Sequence, residues 1–567
     1  MGRSILLGGL IPLLLPVLAG AQILPRLTPD DARREPLPEP RLEAAPEAPL
    51  ATPAPALPPP PSPGLGESLT VRVERIELRG NTVFSDAELA PLTAPYEGRE
   101  VSTAELQQLR YDLTRFYVER GYINSGAVIP DQSVADGVVR LDIVEGRLTD
   151  IRLSGNTHLR ERYLRERLWP DPQAPLDLER LRERLRLVQQ DPLVARINAE
   201  LVPGLLPGEG VLRAEVAEAP RVRFGLVIAN NRSPSVGGEQ YEPFLSLRNL
   251  TGFGDILDLS WGITSGGDDV SALYELPLNA HDTRLRLGYR NSDSLAVESP
   301  FDALDIQSDL RSWDIGLSHP LILTPDRRLT LGATLSLRKS ETSLLGFGFP
   351  FSPGVDEDGD SRVTVLRLSQ DYLHRGPDQV LALRSTFSLG LDAFGATTND
   401  LHIDGRFTAW LGQFQWVRRF ENDLQIVLRA DAQFSKDSLL PMEKFSIGGL
   451  TSVRGYRESL LVRDSGYAGS VELRYPLATL PIPGLSRDPG DGQLQLALFA
   501  DYGRGWNEDL PTPDPEAIGS VGVGLRYAPG PQVEGALYWG YALEEVEQLD
   551  EDIQDEGLHF LLRISNF

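Results

Sequence analysis

From about residue 221 onward, apolar and polar residues alternate with a period of two. Leu329, Leu331, Ala333, Leu335 and Leu337 interleave with Arg328, Thr330, Gly332, Thr334, Ser336 and Arg338. Leu257, Leu259, Trp261 and Ile263 interleave with Asp258, Ser260, Gly262 and Thr264, and Val521, Val523, Leu525 and Tyr527 with Ser520, Gly522, Gly524 and Arg526. One face is apolar and the other small, polar or charged, as in a lipid-facing barrel with a wet lumen. A soluble β-sandwich alternates as well, so the alternation alone does not decide. Sixteen such segments can be placed, from 222–230 to 557–567, many of them nine to eleven residues long, the length a tilted strand needs to cross a bilayer. The connections also alternate. Those after odd-numbered strands are mostly long (Ser292 to Ser308, Lys339 to Asp360, Ser435 to Gly466, Ala542 to Glu556), and those after even-numbered strands are mostly short (Thr251 to Phe253, Ala528 to Pro531). Long outer loops and short periplasmic turns have this signature, which a sandwich has no reason to show. The connection Leu477 to Gly492 breaks the rule. An even strand count leaves both barrel ends in the periplasm. Trp313, Trp410, Trp416 and Trp539 lie near strand ends, where interface girdles form. The chain ends on an aromatic, Phe567, but out of phase with the outward set Leu558, Phe560, Leu562 and Ile564, which predicts a terminal bulge or a frayed end.

Upstream of the barrel the period changes and a repeat appears. Val73-Glu74-Arg75-Ile76-Glu77-Leu78-Arg79-Gly80-Asn81-Thr82 recurs 75 residues later as Leu148-Thr149-Asp150-Ile151-Arg152-Leu153-Ser154-Gly155-Asn156-Thr157. Each copy opens with a strand and a Gly-Asn-Thr turn. A short helix follows (Ser85 to Ala90; Leu159 to Leu168), then a longer amphipathic one. The longer helices carry Leu106, Leu109, Leu113, Phe116 and Tyr117 in the first copy, and Leu178, Leu181, Leu185 and Val188 in the second, at helical spacing. Two strands close each unit: Ile123 to Ile129 with Val138 to Val144, and Ala195 to Leu201 with Val211 to Val216. The fold class is mainly β: a transmembrane β-barrel of about sixteen strands preceded by two small β-α-α-β-β domains. The predicted domains are 70–146 and 147–220, followed by the barrel at 221–567.

The first 21 residues have the form of a secretory signal. Arg3 supplies the charged region, Ile5 to Leu18 the apolar run and Ala19-Gly20-Ala21 the cleavage site. Residues 22–69 are rich in Pro, Ala and Glu and read as a linker. Pro36, Pro38 and Pro40 argue against a long helix over 30–41. Net charge is −26, which argues against nucleic acid as a partner. The chain contains no cysteine, so neither a disulfide framework nor a thiolate metal site is available. Six scattered histidines show no metal spacing, and there is no paired nucleophile and base and no Gly-x-x-x-x-Gly-Lys. Neither cofactor nor enzymatic activity is expected. The acidic runs Asp356-Glu357-Asp358-Gly359-Asp360 and Glu544 to Glu556 lack full EF-hand spacing and read as solvated loops, with cation bridging to lipopolysaccharide as the alternative.

Two such modules before a sixteen-stranded barrel, behind a signal and a Pro-rich linker, resemble the two-partner secretion transporters. These are the ShlB/FhaC/HecB haemolysin secretion and activation family (TpsB), within the BamA-like superfamily. The modules resemble POTRA domains. The sharpest likeness is Val453-Arg454-Gly455-Tyr456, preceded by Gly448-Gly449, which matches the VRGY motif of the family's sixth loop. Phe499-Ala500-Asp501 resembles the family's (F/G)xD motif. The resemblance implies that the loop folds back into the lumen and that Arg454 meets Asp501 there. It further implies a plug helix near the N-terminus and export of an adhesin- or haemolysin-like client in extended form without ATP. The partners expected are that client, outer-membrane lipids and lipopolysaccharide, and the barrel-assembly machinery during biogenesis. Client capture by strand addition to a module edge, with Ala195 to Leu201 as a candidate, is the physical mode expected. An outer-membrane assembly factor and a passive porin or surface receptor are the competing readings.

Overall fold

In the computed structural model, the structure describes residues 70–566 except 135, 401–402, 488–490 and 549, together with Leu37, Leu50 and Ala51. The signal sequence, nearly all of the linker including the 30–41 segment, and Phe567 lie outside the described residues. The chain divides into two compact units, one of the N-terminal modules (45–220 with 251–254) and one containing the barrel (221–250 and 255–567).

The first module runs β1 (Thr70–Val73), β2 (Arg75–Arg79), α1 (Asp86–Thr93), β3 (Arg99–Ser102), α2 (Thr103–Glu119), β4 (Gly126–Val128) and β5 (Val138–Val144). The second runs β6 (Arg147–Ser154), α3 (Glu161–Leu168), α4 (Leu178–Gln189), β7 (Val194–Pro203) and β8 (Glu209–Glu218). β2 lies parallel to β5 in the first module and β6 parallel to β8 in the second, and each of these last strands pairs antiparallel with the strand before it. The first module adds a short antiparallel pair, β1 with β3, which the alternation did not reveal because its four-residue strands are too short to show a period.

The helices form where caps and apolar spacing agree. Ser102 and Glu105 close a reciprocal capping box at α2, which buries Leu109, Leu113 and Tyr117. Asp177 caps α4 by accepting from the N–H groups of Glu179 and Arg180, and α4 buries Leu178, Leu181, Leu185 and Val188.

The repeated Gly-Asn-Thr turn also has a physical cause. Gly80 and Gly155 have φ of +84° and +82°, and a Cβ on either would lie 2.5 or 2.3 Å from a carbonyl oxygen, of Ile143 or Val216. Only glycine combines the left-handed backbone with that approach. The N–H groups that follow are collected by one carboxylate from the end of the module. Glu145 accepts from Thr82 at 2.6 Å and Val83 at 2.8 Å, and Glu218 from Thr157 at 2.7 Å, His158 at 2.9 Å and Leu159 at 2.8 Å.

One expectation about the modules changes. The β7 edge considered for strand addition is partly occupied by the chain itself, because Leu50 and Ala51 pair in parallel with Ala199 and Glu200.

The barrel has sixteen strands, each antiparallel to its neighbour. They are β9 (Val222–Ala229), β10 (Gln240–Arg248), β11 (Ile256–Thr264), β12 (Gly267–Pro277), β13 (Arg284–Leu295), β14 (Gln307–Leu323), β15 (Arg327–Leu344) and β16 (Asp360–Arg375). The second half is β17 (Gln379–Leu391), β18 (Thr408–Arg419), β19 (Gln425–Ser435), β20 (Ser465–Thr479), β21 (Gln493–Trp506), β22 (Ala517–Gly530), β23 (Val533–Ala542) and β24 (Leu558–Ser565). Pairing of β9 with β24, from Gly225↔Ser565 to Ala229↔Leu561, closes the cylinder. Trp313, Ile315 and Leu317 are exposed on the outer face, while Ser308, Ser312 and Ser336 are buried toward the lumen.

Several strands run farther outward than the alternation indicated. Above the row Tyr289, Trp313 and Leu337, the outward positions become Arg311↔Lys339↔Arg362 and then Asp309↔Glu341↔Asp360. Both faces of the sheet are wet there, so the apolar period ends while the hydrogen-bond ladder continues. β18 begins only at Thr408, because Ile403 and Phe407 ahead of it are buried in loop packing.

Candidate functional site in the barrel lumen

The longest outer loop, 436–464, turns inward and crosses the lumen. A small hairpin stiffens it: Phe445–Ile447 pairs antiparallel with Leu461–Arg463. Gly448 and Gly449 turn the chain between them with φ of +119° and +91°. Its apolar side, Phe445, Ile447, Val453, Tyr456 and Leu461, packs on Ala468 and Ile518 of the wall.

Arg454 points from this loop into the wall formed by β20 and β21. Its Nε lies 2.8 Å from Asp501 Oδ2 and its Nη2 2.9 Å from Asp501 Oδ1, a two-pronged contact, and its backbone N–H donates to Asp501 Oδ2 at 3.0 Å. Nη1 pairs with Glu472, and Nη2 donates to Ser470 Oγ at 3.0 Å. Arg474 completes the group by donating to Glu472 at 2.6 Å. The side chains of Arg454, Glu472 and Asp501 are at most 2 % exposed, so these charges are compensated by one another rather than by water. Planar bidentate recognition of this kind suits arginine and not lysine.

The two-residue spacing of Phe499 and Asp501 is also explained. Alternate strand residues share a face, so both enter the lumen. The Arg454 guanidinium carbon lies 3.7 Å from the Phe499 ring centre and 4.8 Å from that of Tyr538, within cation–π range. The sequence-derived pair therefore comes together, with Phe499 supplying a face and Asp501 the charge.

Gly455 has φ of +90°, and a Cβ there would lie 2.9 Å from the backbone oxygen of Gly540. Its N–H donates to His559 Nε2 at 2.9 Å. Tyr456 Oη donates to Gly519 O at 2.9 Å and accepts from Glu544 N at 3.0 Å. Val453 is fully buried. All four motif residues are thus in contact with the wall or an adjoining loop.

Sequence reasoning missed the remaining anchors. At the loop's start, Glu443 receives Arg367 from β16, and Arg338 from β15 donates to Met442 O at 2.7 Å. At its end, the fully buried Asp464 accepts from Leu439 N at 3.0 Å and Glu508 N at 3.1 Å and pairs with Lys444 at 2.8 Å. A lumen Glu or Arg on an alternating strand looks like any other wet residue, and only the strand register could have placed Glu472 beside the level of Asp501. Among the described residues no group of three or more His, Asp or Glu side chains is arranged to hold a metal.

A closed sixteen-stranded barrel with N-terminal α/β modules and an ion-paired loop across its lumen defines an outer-membrane barrel of the POTRA-bearing class. The chain belongs to the haemolysin secretion/activation protein family ShlB/FhaC/HecB, whose sequence profile matches residues 208–527, and residues 71–146 match the ShlB-type POTRA domain. It is an outer-membrane transporter of the two-partner secretion type, with its N-terminal modules in the periplasm.

Among curated relatives, it is similar to the outer membrane transporter CdiB of Escherichia coli, with 26% identity over 434 residues covering 73% of this chain and 71% of the relative. It is also similar to the hemolysin transporter protein ShlB of Serratia marcescens, with 22% identity covering 72% and 73% of the two chains. Its fold resembles the solved structures of CdiB from Escherichia coli (TM-score 0.67, 22% identity, 100% of both chains) and from Acinetobacter baumannii (TM-score 0.61, 17% identity, 98% of both chains).

Proposed function

We propose that this transporter exports a partner exoprotein, adhesin- or haemolysin-like, which passes through the barrel in extended form without ATP. The observation that supports this reading is how the lumen is closed. Loop 436–464 is held by ion pairs and hydrogen bonds to the wall at Asp501, Glu472, Arg367 and Arg338. Such contacts can be exchanged for water and client groups without unfolding the barrel, whose strands keep their own ladder. Arg454 is the lock, Asp501 and Glu472 its seat, Phe499 and Tyr538 its aromatic walls, and Gly455 and Tyr456 hold the backbone in place.

The modules supply strand edges to which an extended client can add by backbone hydrogen bonds. On β7 the client displaces the Leu50–Ala51 rung. Folding of the client outside the cell supplies the drive, so no nucleotide site is needed. Outer-membrane lipids surround the barrel, and the barrel-assembly machinery inserts it.

The test is secretion of the cognate exoprotein by cells carrying Arg454→Ala. The barrel is expected to insert in normal amount while secretion falls to background. Undiminished secretion would remove Arg454 from the mechanism.

A further inference from the structure

Three residues beyond Arg454, a second arginine is buried among the outer loops. Arg457 is 8 % exposed at its side chain. Its Nε and Nη2 each lie 2.6 Å from an oxygen of Asp555 in loop 543–557. Nη1 pairs with Glu298 in loop 296–306, and Nη2 also donates to the backbone oxygen of Asp550. The next residue, Glu458, donates its N–H to Gln554 at 2.8 Å, and the fully buried Gln554 donates to Arg232 O, in loop 230–239, at 2.8 Å. One short stretch of the lumen loop thus ties three other outer loops together over the barrel mouth.

We propose that Arg457 is a positioning residue for transport, the outer half of a two-ended latch whose inner half is Arg454. The proposal rests on the transport reading above. Three residues of chain span at most about 10 Å, and Gly455 and Tyr456 between them are fixed to β22, β23 and β24. Arg454 therefore cannot leave its seat without pulling Arg457 away from Asp555 and Glu298. A guanidinium that withdrew would leave the half-shielded carboxylates of Glu298 and Asp555 without the cation that joins them across two loops, so the outer loops separate in the same event. The barrel mouth and the interior constriction then open together rather than in sequence.

The chain contains no cysteine, so the test can be made on the whole transporter without background labelling. With the barrel folded, as judged by its heat-modifiable mobility, Arg457→Ala should raise the frequency of full-conductance openings in planar bilayers by about 5- to 150-fold, the range of typical site coupling. Asp555→Ala added to it should produce little further change, because both remove one contact. In intact cells, the pair Arg457→Cys and Asp555→Cys bridged by a short bis-methanethiosulfonate linker should stop secretion, and reduction should restore it.

Openings unchanged in Arg457→Ala while Arg454→Ala raises them would overturn the latch and leave the transport reading standing. Openings unchanged in both would overturn the loop's role itself. If Arg457→Ala fails to fold, Asp555→Asn alone decides, and unchanged openings in it, or secretion that continues through the bridged pair, refute the latch.

Discussion

One nitrogen of Arg367, Nη2, lies 2.7 Å from each carboxylate oxygen of Glu443. Arg367 belongs to the eighth barrel strand, whereas Arg454 is seated on the twelfth and thirteenth, so the lumen loop is held on two separate sectors of the wall. Glu443→Gln removes the charge that faces both Arg367 and Arg338. Its expected cost is about 1–3 kcal/mol, that of a hydrogen-bonded charged group losing its partner. More frequent channel openings in planar bilayers, with unchanged β-sheet circular dichroism, are the expected result. Openings indistinguishable from wild type would show that the loop's start bears no part of the closure.

Asp501→Asn keeps the shape of the seat but not its charge, and leaves Arg454 facing Glu472 alone. Breaking a buried pair from one side costs about 3–5 kcal/mol. Phe499→Leu removes only the ring face, which is worth roughly 2 kcal/mol when desolvated. Secretion should therefore fall further in Asp501→Asn than in Phe499→Leu, at equal barrel abundance. The reverse order would mean that the ring, and not the carboxylate, carries the lock.

The module turns offer a test remote from the lumen. Alanine at Gly80 or Gly155 must accept a left-handed backbone and a Cβ within 2.5 or 2.3 Å of a carbonyl oxygen. Strain of this kind costs about 1–3 kcal/mol. Amide hydrogen exchange should quicken over Thr82–Val83 in the first variant and Thr157–Leu159 in the second, each confined to its own module.

Acid should loosen the start of α2. The Ser102 backbone N–H, Arg99 and the Ser102 hydroxyl hold the Glu105 carboxyl at about 2 instead of its ordinary 4.5. A carboxyl lowered on folding contributes stability above its unfolded value and loses it as pH falls through the folded one. Protection of the first-turn amides of α2, corrected for intrinsic exchange, should decline between about pH 4.5 and 2, and Glu105→Gln should abolish that dependence. A wild-type profile flat through this window would argue against the cap.

The barrel was legible because lipid on one side and water on the other impose a two-residue period, and sixteen segments carried it. Strand lengths were not. Lys339 and Glu341, read as part of a loop, continue their strand above the apolar belt, where both faces are wet and the period carries no signal. The repeat beginning at Val73 and Leu148 marked the modules, and the structure explains its glycines. In the site, Arg454, Phe499 and Asp501 were legible through their motifs. Glu472, Glu443 and Arg457 were not, because a charged residue on a lumen face or loop acquires meaning only from register and from what a distant loop places opposite it.

The seat itself has a consequence for an emptied pore. Among the described residues, every hydrogen bond to the Asp501 carboxylate comes from Arg454. When the loop leaves, Asp501 stays in the wall with no cation in contact, an unfavourable state in a lumen of reduced dielectric. That cost is relieved when the same arginine returns. On the transport reading proposed above, that return reseals the barrel after a client has passed, with no separate closing signal to keep the outer membrane tight.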